Sequence, residues 1–346
     1  MKSLRIWFGC SLGLGLSILF DWSYGFFAVM MPLFILGKME KFNLAAHVLV
    51  LISALWATIV PTLLVDTFQS HPVLLTVSVG IVMLINCIAM MKQSTYLFGF
   101  IGLFVGSIVL SFASYDFIDI EDFNVNLWVV SLSNIAVCAL SYFLFPSDDS
   151  IQTEQVETPI KQDLDYIAQV ALGWCVSMTA FVVFQVSDLY DSLSALASIV
   201  IILTPMTLAG AMGVAKIRII GTALGCIAGA TIQILLGHWF SNGLLFWLSI
   251  TIAMGLFCHW QTKGLIKGAL GFSAMSALTV PLTTTLIPEK QDAFFSILYR
   301  FSSIFVSVAL TVMVIWILHH WIRIYLLNHR QNYRQSVGKD VATRVS

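Results

Sequence analysis

Long apolar runs separated by short polar breaks set the pattern of this chain, and a helix needs about 20 apolar residues to cross a bilayer. That criterion predicts spans at 5–21, 23–37, 44–65, 72–91, 95–114 and 127–145. A polar, acidic stretch follows at 146–165, too short to be a domain. Further spans are then expected at 166–186, 192–208, 217–237, 242–260, 267–287 and 294–322. The runs are too long and too uninterrupted for the alternating strands of an outer-membrane barrel. The expected fold class is therefore an all-α integral membrane protein of about 12 transmembrane helices, arranged as two parallel six-helix repeats. The units are a first membrane repeat over 1–145, a cytoplasmic linker over 146–165, a second repeat over 166–325 and a basic cytoplasmic tail over 326–346.

Local sequence supports the duplication. Pro32, Gly37 and Met39 share the spacing P-x4-G-x-M with Pro205, Gly210 and Met212, at an offset of 173 residues, half of the 346. Around Pro205 the pattern predicts a proline-broken helix end, a short basic turn, and a ninth helix that opens on Arg218. Gly221, Gly225 and Gly229 recur every fourth residue along that helix, a face on which another backbone can approach closely. Gly9 and Gly13, Gly102 and Gly106, and Gly264 and Gly268 repeat the spacing, which ordinarily serves packing.

Composition agrees: 59% of residues are hydrophobic and only 10% charged, against about 25% charged in soluble domains. No small-residue cleavage site follows the basic start at Lys2 and Arg5, so the first apolar run reads as a retained helix. With the N-terminus placed inside, all of the 17 lysines and arginines except Lys290 and Arg300 fall on the cytoplasmic side. The positive-inside rule then predicts that both termini are cytoplasmic. All six cysteines lie in apolar runs without ligand spacing and read as packing residues.

The stretch Arg218-Ile-Ile-Gly221-Thr222-Ala-Leu-Gly225, preceded by Pro205 and Gly210, resembles the R-x-x-G-T-x-x-G signature of the fusaric acid resistance and aromatic acid exporter superfamily of bacterial inner-membrane proteins. Members consist of two similar six-helix halves. The corresponding stretch of the first half, from Asn43, lacks the arginine and the Gly-Thr, so any role of that arginine is expected in the second half alone. Typical members carry a sizeable soluble domain after each half, whereas this chain has a short linker and tail, as a compact branch would. The resemblance implies a multi-pass protein of the bacterial inner membrane that exports aromatic or other weak acids. It also implies a periplasmic membrane-fusion adaptor as partner; an outer-membrane channel, the lipid bilayer and a homo-oligomeric assembly are the further partners expected.

Charged groups near spans supply the candidate site residues, because their insertion is costly and often functional. Arg300 reads as a cation for a substrate carboxylate or as a snorkelling interfacial side chain, and Arg218 as an anion-binding group or an orientation anchor. His47, about a turn into the third span, reads as a proton relay or as a helix-interface histidine. Asp21, Asp188 and Asp191 lie at equivalent outer connections and read as proton-exchanging carboxylates or solvated loop charges. Pro32 and Pro205 each remove a backbone bond near the cytoplasmic end of matching spans and are expected at a central cavity. No phosphate loop, nucleophile elbow or HExxH helix occurs, so no catalytic residue, metal, cofactor or nucleic acid is expected. The functional expectation is proton-coupled efflux of small organic acids, with a passive anion channel, a membrane scaffold or a membrane enzyme as alternatives.

Overall fold

The computed structural model describes residues 1–22, 24–113, 119–146, 163–187, 193–236, 242–284, 298–299 and 301–321. These form helices α1 (Lys2–Leu19), α2 (Phe26–Lys38), α3 (Leu44–Phe68), α4 (Pro72–Met91), α5 (Tyr96–Ala113), α6 (Ile120–Leu144), α7 (Asp163–Val186), α8 (Leu193–Leu203), α9 (Leu208–Leu236), α10 (Gly243–Gln261), α11 (Leu265–Thr284) and α12 (Phe301–Trp321), with no strand among the described residues. Eight of them are long and apolar enough to cross a membrane: α3, α4, α5, α6, α7, α9, α10 and α12. Large apolar side chains such as Leu63, Ile81, Ile227 and Ile252 stand exposed on the outer faces. Helices that are apolar inside and out need lipid, not water, as solvent, and the chain is a helical membrane protein.

Polar residues in the breaks set many of the helix ends. Asn43 accepts from Ala45 N at the start of α3, Asn242 from Leu244 N and Leu245 N at the start of α10, and Pro72 occupies the first turn of α4. Asp119 accepts from Glu121 N and Asp122 N, both at 3.0 Å, so α6 begins at Ile120 and not at 127 as hydropathy suggests. The cap lets the helix run through a polar first turn. Asp119→Ala is expected to cost about 1 kcal/mol, read as a lowered Tm in detergent, because two backbone donors lose their acceptor.

A second correction concerns the turn after α8. Met206 adopts a left-handed φ of 48° and Gly210 N donates to Thr207 Oγ1 at 3.3 Å, so α9 starts at Leu208. Lys216 and Arg218 therefore lie inside α9 and not in a basic turn before it. The two P-x4-G-x-M stretches also differ in structure. Pro32 lies within α2, whereas Pro205 belongs to the α8–α9 turn and Gly210 to the first turn of α9.

Pro32 deprives the Ala28 carbonyl of its helical donor. Gly13 of α1 comes against that carbonyl, with no side chain to hold it off. Pro32 is buried in this α1–α2 contact.

Several helix pairings of α1–α6 have counterparts that involve α7–α11. α3 packs on α5 as α9 packs on α11, α1 on α10 as α7 on α4, and α2 on α11 as α8 on α5. Indole bonds mark the crossed pairs. Trp7 Nε1 donates to Thr251 O at 2.7 Å and Trp247 Nε1 to Ser11 O at 2.8 Å, joining α1 and α10. Trp174 Nε1 donates to Gly80 O at 2.8 Å, joining α7 and α4.

The α9–α11 contact is the most extensive among helices α1 to α11. Gly221 faces Ser273, and Gly225 faces Ala277 and the carbonyl of Ala274, while Gly229 is buried on the same helix.

Candidate functional site

Among the described residues α2 and α8 are the shortest helices, and both contribute walls to one cavity. At 13 and 11 residues they reach about 20 and 16 Å, less than the ~30 Å apolar core of a bilayer. Between them, α5 and α11 is a cavity of about 60 Å³. Its walls are Phe27, Met30, Met31, Phe34 and Ile35 of α2, Phe100, Ile101, Phe104 and Val105 of α5, Ile201 of α8, Phe272 of α11 and Val50 of α3. Every wall residue is apolar, so the space suits a flat or flexible hydrocarbon body.

A buried cation lies on α9. Arg218 is only 5% exposed and stands ten residues into its helix, about 15 Å from the start. Its Nε donates to Ser198 Oγ of α8 at 3.2 Å, and its Nη1 donates to Ser273 Oγ at 3.2 Å and Ser276 Oγ at 2.6 Å on α11. The serines in turn donate to backbone carbonyls: Ser198 to Ser194 O, Ser276 to Ser273 O and Ser273 to Arg218 O. Each hydroxyl thus offers the guanidinium a lone pair and no negative charge. The Lys2–Glu40 ion pair, at 3.7 Å, does not involve it. Arg218 is therefore held by dipoles alone, a costly arrangement for a charge inside a membrane protein. Thr222 follows one turn on, buried and with its hydroxyl unpartnered.

The sequence places Arg218 at the cytoplasmic start of its helix, as an anion-binding group or an orientation anchor. The structure instead turns it inward onto serines. Gly221 makes this geometry available, because a side chain there would collide with Ser273 and push α11 beyond the reach of the guanidinium. Ser198 lies one turn from Ile201, and Ser273 adjoins Phe272, so the cluster borders the cavity wall in sequence.

Lys38, at the end of α2, was counted in the sequence only as an orientation charge. Its ammonium lies 4.4 Å from the centroid of Phe34 and 4.6 Å from that of Tyr96. Phe34 stacks on Phe100 at 5.2 Å, and Phe100 stacks on both Tyr96 and Phe104. The signal lay in spacing: Tyr96, Phe100 and Phe104 recur every fourth residue, and Phe34 precedes Lys38 by four.

The remaining candidates lie apart. His47 is buried, bonds Asn43 O through Nδ1 at 2.8 Å and rests on Phe42, leaving Nε2 without a partner. Asp21 is exposed in the turn after α1 at a φ of 50°. Pro32 faces Gly9 and Gly13 of α1, and Pro205 packs against Gly210. Neither proline lines the cavity, contrary to expectation, because the ring of Pro32 fills the α1–α2 contact and that of Pro205 closes a turn. Arg300, Asp188 and Asp191 lie outside the described residues.

Arg5, unnoticed as a site in the sequence, is 2% exposed. It donates to Glu40 O and Met39 O and covers the Tyr142 ring at 4.3 Å, tying α1 and α6 to the α2–α3 connection.

Residues 2–141, from α1 into α6, match a family model described as a protein of unknown function, DUF2955. No curated protein and no solved structure matches the chain. The Arg218 cluster lies beyond the matched segment.

Proposed function

We propose that this helical membrane protein is a secondary transporter that exports small organic acids. The observation that carries the reading is one apolar cavity that takes walls from two helices of short described length, each second in its half. Unusually short segments at corresponding positions of two halves point to the substrate site in transporters built from repeats. Reciprocal pairing, α1 with α10 and α7 with α4, supports descent from a duplicated six-helix unit. The resemblance of Arg218, Gly221, Thr222 and Gly225 to the aromatic acid exporter signature supports an acidic substrate. Arg218, positive and without a carboxylate among the described residues, is the group that would attract it.

On this reading both termini are cytoplasmic and the chain sits in a bacterial inner membrane, as the lysine and arginine distribution favours. Proton coupling and delivery to a periplasmic adaptor complete the proposal.

The test is uptake of radiolabelled benzoate into proteoliposomes with and without an imposed pH gradient. Ile201→Trp, which fills the cavity from α8, is expected to lower uptake at least about tenfold with the protein still folded. Uptake at the wild-type rate in that variant removes the cavity from the pathway. Flux that ignores the pH gradient makes the protein a passive channel.

A further inference from the structure

We propose that Lys38 and the stacked rings beneath it form the anion-recognising mouth of the cavity, binding the carboxylate of an apolar monoanion whose body lies along Phe34 and Phe100. The inference rests on the transport reading for the cavity and adds to it the residue that selects charge. Lys38 is exposed, at the end of the short α2, and four residues beyond the cavity-lining Phe34. Its ammonium meets two ring faces and, among the described residues, no carboxylate and no hydrogen-bond acceptor. Ring faces attract a cation through their quadrupole but leave its charge unneutralised. They also leave N–H donors free on the side away from the rings.

The rings give the site direction. Tyr96, Phe100 and Phe104 follow one another along α5 with interplanar angles of 4° and 19°, and Phe34 lies at 11° to Phe100. Phe34, Phe100 and Phe104 are themselves cavity walls. A flat apolar body entering past Lys38 therefore meets the near-parallel faces of Phe34, Phe100 and Phe104, with Phe272 edge-on to Phe34 at 62°, while its charged head stays on the ammonium. A neutral molecule of the same shape finds the rings but gains nothing from Lys38. Arg218, buried on α9 with its donors turned to serines, does not duplicate this exposed position.

The experiment measures binding separately from flux, using the full chain in nanodiscs of neutral phosphatidylcholine, titrated with benzoate and with its uncharged isostere benzamide. Wild type is expected to prefer benzoate. Lys38→Gln should weaken benzoate at least about tenfold and leave benzamide within about twofold, while Lys38→Arg keeps the preference. Benzamide binding doubles as the check that the variant is folded.

Equal benzoate affinity in wild type and Lys38→Gln overturns the proposal, as does no benzoate binding to wild type at about 10 mM. If phosphatidylglycerol in the disc displaces benzoate from wild type, Lys38 is a lipid-phosphate site and the free-acid assignment fails. Proteoliposome uptake separates the two readings. Lys38-dependent binding without any flux keeps this site and removes the transporter, whereas flux unchanged in Lys38→Gln removes the site and keeps the transporter.

Discussion

Arg218→Met is expected to abolish benzoate uptake while leaving the protein at least as stable as wild type. Ser198, Ser273 and Ser276 already donate to carbonyls, so removing the guanidinium leaves no hydroxyl proton stranded. What disappears is a buried charge that no described carboxylate balances. Taking a charge out of water costs several kcal/mol, so an apolar side chain of similar length avoids that cost at this site. Thermal unfolding in detergent and proteoliposome uptake should therefore move independently. Arg218→Lys retains the charge but cannot span Ser198 on one side and Ser273 and Ser276 on the other, and it should recover uptake only in part. A Met variant that loses several degrees of Tm together with its uptake makes Arg218 a structural bolt between α8, α9 and α11. Its place in the transport mechanism then falls.

Gly225→Leu should have the largest effect on folding. A Cβ at Gly225 would meet the Ala274 carbonyl and lie 2.7 Å from the Ala277 side chain. These are backbone and a methyl, neither of which can swing aside. Overpacking of this kind costs about 1–3 kcal/mol or more, and here it separates α9 from α11, the most extensive pair among α1 to α11. The expected result is a sharp loss of folded protein by size-exclusion chromatography. Gly213→Leu, whose Cβ position is open, should leave the yield unchanged. Equal yields from both variants would mean that α9 and α11 do not pack through this face.

The sequence made some of this legible and hid the rest for physical reasons. The fourth span falls at 72–91, as α4 does, because His71-Pro72 and Lys92 interrupt the apolar run where the helix itself ends. The starts of α6 and α9 were misplaced because hydropathy detects polarity and not capping. Asp119 begins a helix whose first turn is polar, and Met206 with Thr207 begins one that carries Lys216 and Arg218 inside it. A cation near a span end looks the same in sequence whether it faces lipid headgroups or another helix. Only the closeness of α11 at Gly221 separates the two for Arg218. Lys38 escaped notice because its partners, Phe34 and Tyr96, come from different helices. The prolines misled for the opposite reason, since a missing backbone bond can be covered by a neighbour's glycine as readily as by a ligand.

The indole bond from Trp7 to Thr251 has a meaning in time as well as in space. The two residues are 244 positions apart, and at about 5–20 residues per second a ribosome needs roughly 12–50 s to make the chain between them. Throughout that interval α1 is already in the membrane with its indole N–H and its α10-facing surface unclaimed. The first six helices thus wait, partly assembled, for the tenth. Newly made chains are most exposed to proteolysis and to mispairing with other membrane proteins during that wait, so biogenesis and not the finished fold is where this protein is most vulnerable.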